Sequence, residues 1–161
     1  MRVLCCLDGT NVEQVRKATA MLATSEPLRL GLLYVIDTSP REDIGRLRER
    51  FLRQREPPGP REQQMRQTEQ EAAREILAEG LRYLAGAEAL QRQGRPEREI
   101  VNAAAEWRAD LVMIGARAEY DEKPVIGPKS VGHVARFVLD HAPCPVLLVR
   151  PFTREHFPIA R

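Results

Sequence analysis

The sequence predicts a doubly wound α/β domain, five parallel strands in the order 3-2-1-4-5 with helices on both faces. Three observations carry that expectation. Short, largely apolar runs recur at residues 3–7, 28–36, 111–114 and 146–149, as strands covered on both sides require. Segments with helical apolar spacing lie between them, so strand and helix alternate and successive parallel strands join by right-handed crossovers. The third is the stretch DLVMIGARAEYDEKPVIGPKSVGHVARFVLDHAPCPVLLVR from Asp110 to Arg150. It reads as a buried strand, a long loop, an amphipathic helix and a second buried strand.

The first strand ends at Asp8-Gly9, where Thr10 and Glu13 have the spacing of a capping box for a helix that buries Val12, Val15, Thr19 and Leu22. That helix ends before Pro27, and the length and apolarity of the second strand suit a central position. Ser39-Pro40-Arg41-Glu42 then opens another helix, with serine as cap and proline in the first position. Ile44, Leu47, Phe51 and Leu52 give it one apolar side before Pro57-Pro58-Gly59-Pro60 breaks it. A longer helix over residues 61–84 sets Ala73, Leu77, Leu81 and Leu84 on one side. Its first half has Met65 as its one large apolar residue and projects into solvent or against a partner. Residues 39–85 thus form a two-helix arm inserted after the second strand.

Ala87, Ala89 and Gln91 alternate with polar residues in the third strand, the pattern of an edge. Gly94-Arg95-Pro96 turns into a helix with Ile100, Ala104 and Trp107 inward. The helix after the long loop carries Val131, Val134, Ala135, Val138 and Leu139, an i, i+3, i+4, i+7, i+8 stripe. Pro143 stops it, and Pro145 marks the start of an edge strand. Residues 151–161 form a tail without helical spacing, leaving residues 1–150 as the single domain.

Composition excludes several classes. The 161 residues are 30% charged and 43% apolar, and their net charge is only +2 with acids and bases interleaved. A dedicated nucleic-acid binder would segregate its basic residues on one face, so no nucleic acid is expected. No run approaches the roughly 20 apolar residues of a membrane span, so no membrane partner is expected. The start MRVLCCLDG is too short before its first acid for a secretory signal, and a cytoplasmic location follows. Cys5 and Cys6, adjacent on a strand, point to opposite faces and do not bridge. With Cys144 they read as reduced structural thiols, and no ligand-spaced Cys or His suggests a metal.

Position then picks out a site. With strand order 3-2-1-4-5 the first and fourth strands are neighbours where the winding reverses, and ligands bind beyond the carboxyl ends there. Asp8-Gly9 and Gly115 both fall at that switch. The loop from Gly115 to Ser130 exceeds the roughly 2–6 residues usual between strand and helix. It leads to a helix N-terminus, where free N–H groups and the dipole favour phosphate. Two of the chain's three lysines, Lys123 and Lys129, fall in this loop with Arg117. Such side chains can replace backbone donors toward an anion.

DLVMIG followed by a glycine-bearing loop and serine, the ending HAPCPVLLVR, the turn Asp8-Gly9-Thr10 and Gly94-x-Pro96 before a helix resemble the universal stress protein family. The resemblance implies a regulatory, non-catalytic stress-response protein. It also implies ATP or AMP as ligand and a homodimer through residues 145–150, an apolar edge that something must cover. It places Asp8 beside adenine and ribose, the loop from Gly115 around the phosphates, and Ser130 as cap of the helix below them. The candidate ligand set is Asp8, Gly9, Thr10, Val35, Gly115, Arg117, Gly127, Lys129, Ser130 and Val131. The loop departs from the family pattern: Ala118 and Lys129 stand where glycines are expected, Gly127 lies three residues before Ser130, and Pro128 lacks an N–H.

Two readings therefore stand, weak or lost nucleotide binding and a genuine ATP- or AMP-binding stress protein. A phosphate-transferring enzyme ranks last, because His133, although three residues after Ser130, has no orienting acid. The bland alternatives are an Asp8 that bonds its own turn, a Ser130 that only caps its helix, and a solvated loop. A protein partner at the 39–85 arm is the further expectation.

Overall fold

The computed structural model describes residues 1–22, 27–39, 59–116 and 130–150. Their elements are β1 (Arg2–Leu7), α1 (Val12–Met21), β2 (Arg29–Asp37), α2 (Pro60–Tyr83), β3 (Glu88–Gly94), α3 (Pro96–Glu106), β4 (Leu111–Gly115), α4 (His133–His141) and β5 (Val146–Val149). The strands form one parallel sheet in the order β3-β2-β1-β4-β5. The expected helix with Ile44, Leu47, Phe51 and Leu52, and the tail 151–161, lie outside the described residues.

Strand alternation builds two cores. Val3, Cys5 and Leu7 of β1 join Leu32 and Met113 under α1 and the second half of α2, whose Val15, Ala18 and Leu77 cover them. Leu4 and Cys6 face the other way with Leu33, Val112 and Ile114, beneath Ile100, Ala104, Ala135 and Val138 of α3 and α4. Both faces of the central strands are thus dry, and Val3, Leu4 and Cys5 have no exposure. The adjacent cysteines sit in opposite cores, as the period of two demands.

Four local expectations change. The capping box does not form: α1 starts one residue later than Thr10 would require, with Asn11 at its N-cap and no side-chain cap bond. Thr10 instead donates from N–H and Oγ1 to Asp8 Oδ1, a nearer acceptor than the helix start. On α2, Leu81 is exposed, and Gly80 takes the inward position with Ala73 and Leu77. The stretch before Ala73 is largely exposed, Met65 included. In β3 the phase slips by one residue: Ala89 and Gln91 are exposed, while Leu90 packs on the α3–α4 core. Few large side chains distinguish the two faces of this edge strand, so pairing with β2 decides between them. On α4, Leu139 is exposed because Ala135 and Val138 define the buried line.

Candidate functional site

The carboxyl ends of β1 and β4 lie side by side, since Val3, Leu4 and Cys5 pair with Leu111, Val112 and Met113. Asp8 leaves β1 and Gly115 ends β4 on the same side of the sheet. Asn11 locks the turn between β1 and α1 onto its own strand. Its Nδ2 donates to Cys6 O at 3.0 Å, and its Oδ1 accepts from Asp8 N–H at 3.1 Å. Asn11 is only 7% exposed, so each of these bonds satisfies a group removed from water. Asp8 Oδ1 is engaged by Thr10, which realises the expected self-bonded turn.

Gly115 closes this corner. A Cβ there would stand 3.1 Å from Asn11 Nδ2 and 3.5 Å from Asp8 Oδ2. The absence of a side chain lets β4 approach the turn and leaves open space above it.

That space is a crevice of about 760 Å³, within the range of about 300–1,000 Å³ typical of small-molecule sites. Asp8, Asn11 and Gly115 line it at the switch point, with Tyr34 and Val35 at the end of β2. Pro96 and Ile100 bring the start of α3 to its wall, and Cys6, Leu33 and Ile114 form an apolar part. The start of α4 lines it too, with Val131, Gly132, His133, Val134, Ala135 and Arg136. Burial, then the nearby Asp8 and Glu69 carboxylates, hold the Tyr34 hydroxyl above its ordinary pKa. Burial, then the neighbouring Cys5, pushes the Cys6 thiol up as well.

The start of α4 differs from expectation. Ser130 does not take the N-cap: the helix begins at His133, with Gly132 at the N-cap in the left-handed region at φ 78° and no side-chain cap bond. Ser130 is buried instead, and its Oγ accepts from Arg150 Nη2 at 3.0 Å. A glycine is what lets the chain reverse at position 132, because a Cβ is strained there. The glycines expected of the loop lie upstream of Ser130, whereas the glycine that starts the helix is Gly132, between Val131 and His133.

Of the expected ligand set, Asp8, Val35, Gly115 and Val131 line the crevice. Gly9, Thr10 and Ser130 are adjacent in sequence to lining residues but are not among them. Arg117, Gly127 and Lys129 lie outside the described residues. Sequence reasoning missed Asn11, Tyr34, Gly132 and Arg136, none of which belongs to a motif readable by spacing. No group of three His, Cys, Asp or Glu side chains among the described residues is placed to hold a metal ion.

An open crevice at the winding reversal, bordered by a Cβ-free strand end and a helix start, marks the candidate site of a doubly wound α/β protein. Among families, the universal stress protein family model matches residues 1–150, and the chain belongs to that family. A universal stress protein of Thermus aquaticus, encoded in the 3′ region of a QAH/OAS sulfhydrylase gene, is 41% identical over 63 residues. The match spans 39% of this chain and 43% of that relative's length. Among solved structures, universal stress protein UspA from Lactobacillus plantarum has a TM-score of 0.56 at 24% identity, covering 93% of this chain and 97% of its own. A universal stress protein family protein from Arabidopsis thaliana, with AMP bound, has a TM-score of 0.59 at 16% identity over 98% and 95% of the two chains. These two likenesses concern the fold. No helix among the described residues is long and apolar enough to cross a membrane.

Proposed function

We propose that this chain is a non-catalytic regulatory protein of the stress response whose crevice binds an adenine nucleotide weakly. The observation that carries this reading is the pairing of Asp8 with the bare Cα of Gly115 at the floor of an open 760 Å³ crevice. A carboxylate at that point suits ribose hydroxyls, and the apolar side chains beside Val35 suit a base. The AMP bound to the Arabidopsis thaliana relative of similar fold lends support to this ligand class. The affinity is weak because Ala118 stands where the family's phosphate loop has a glycine. An alanine held left-handed costs about 1–2 kcal/mol, which is roughly tenfold in affinity.

Calorimetric titration of the purified chain with ATP and AMP, with magnesium, tests the reading. The expected dissociation constants lie between about 10 μM and 1 mM. Tighter binding would favour the fully competent ATP-binding alternative, and no heat at millimolar nucleotide would overturn nucleotide binding altogether. Absence of phosphate release during the same incubation is the expected sign of a non-enzyme.

A homodimer through β5 belongs to the same reading. β5 is the terminal strand of the sheet, bonded to β4 alone, and its Val146, Leu147 and Leu148 are only half-buried. A second copy pairing along residues 145–150 would cover that edge.

A further inference from the structure

We infer that Arg136 and His133 make this crevice count phosphates, so that affinity rises from AMP through ADP to ATP by side-chain charge rather than by a glycine loop. The inference rests on the proposed nucleotide site and assigns the determinants of its specificity. Among the described residues lining the crevice, the formal charges are divided: Asp8 stands at the end of β1, and Arg136 stands on the first turn of α4. His133 lies three positions before Arg136, on the same side of the helix, and lines the same wall. This wall also carries the positive end of the α4 dipole.

A nucleotide placed against the acid by its phosphates would set like charges together. Placed with its ribose at Asp8, it aims the phosphate chain at Arg136 and His133. A guanidinium can then take two phosphate oxygens at once, and an imidazole N–H can donate to a third. Arg150, by contrast, is engaged outside the lining, where it donates to the buried Ser130 one residue before the lining begins at Val131. Cationic side chains reward each added phosphate, whereas a backbone loop shaped around glycines has lost one of its positions, at Ala118.

The test is a titration of the full chain with AMP, ADP and ATP, without magnesium, in about 50 and 200 mM salt, on wild type, Arg136→Gln, Arg136→Lys and His133→Gln. Arg136 and His133 are both exposed, so the variants should fold, and melting curves check this. In wild type ATP should bind about tenfold or more tighter than AMP, with the preference shrinking as salt rises. Arg136→Gln should remove most of that preference and leave AMP within about threefold of wild type, Arg136→Lys should keep part of it, and His133→Gln should reduce it by a smaller factor. Equal affinity of wild type for AMP and ATP overturns the inference, as does a preference unchanged in both neutral variants, while nucleotide binding itself stands in either case. No binding of any nucleotide to wild type removes the nucleotide reading and the inference with it.

Discussion

The carboxylate of Asp8 lies over the bare Cα of Gly115, with Oδ2 3.5 Å from where a Cβ on Gly115 would sit, although the two residues are far apart in sequence. The parallel pairing of β1 with β4 brings them together. Gly115→Val adds a branched side chain against Asp8 and Asn11, and overpacking of this kind costs about 1–3 kcal/mol. The expected result is a melting temperature lowered by several degrees together with weakened nucleotide binding. A variant as stable and as competent as wild type would show that the corner is looser than its geometry.

Asn11 is the clamp of the same corner. Asn11→Ala strips the partner from the buried Cys6 O, at about 1–3 kcal/mol, and from the half-buried Asp8 N–H, which water can partly re-satisfy. Urea denaturation should show a loss in that range. Asn11→Asp should lose stability too, because a carboxylate cannot donate to Cys6 O.

The thiols give the expected pH dependence. Burial lifts Cys5 from its ordinary 9.0 to about 12, and Cys6 is raised further by burial and by its neighbour. A thiol whose pKa is higher in the folded chain contributes stability that is complete below the unfolded value and is lost as pH rises toward the folded one. Chemical denaturation should therefore show constant thiol-linked stability at pH 7–8 and a decline from about pH 9 toward 12. At pH 8 the native protein should alkylate at the half-buried Cys144 well before Cys5 and Cys6, and denaturant should expose all three. Equal labelling rates in the native state would contradict the two-sided core.

Trp107 ties edge strand β3 to the body of the domain. Its Nε1 donates to Glu88 Oε2 at 3.0 Å, and the Arg2 guanidinium lies 4.5 Å from the ring centroid. Trp107→Ala should cost about 3–5 kcal/mol. Trp107→Phe keeps a ring under Arg2 but drops the bond to Glu88, and should cost nearer 1 kcal/mol. Thermal melts followed by circular dichroism read both, and a smaller loss for alanine than for phenylalanine would refute this assignment.

The open edge at β5 leads to the fifth outcome. Light scattering at micromolar concentration should return twice the 18.3 kDa chain mass, falling on dilution. A constant mass of one chain at all concentrations would mean that the edge remains uncovered.

What the sequence by itself determined is whatever local periodicity encodes. Largely apolar runs placed β1, β2, β4 and β5 within a residue or two, and the 3.6-residue stripe placed α3 and α4, since each pattern reports burial on a fixed face. The alternation of those elements, with the family resemblance, was enough to give the sheet order and thereby to bring Asp8 and Gly115 to one crevice. Tertiary structure alone decided the contacts across that frame. Thr10 turned back to Asp8 instead of capping α1, and Ser130 bonded Arg150, twenty residues on, in place of capping α4. Asn11 became the clamp and Arg136 a cation lining the crevice, though neither falls in a motif. Such partnerships depend on strand register and on how closely a helix start approaches a sheet end, which spacing along one chain does not encode. Edge strand β3 shows the same limit, because side chains that differ little in size leave the choice of inward face to the neighbouring strand.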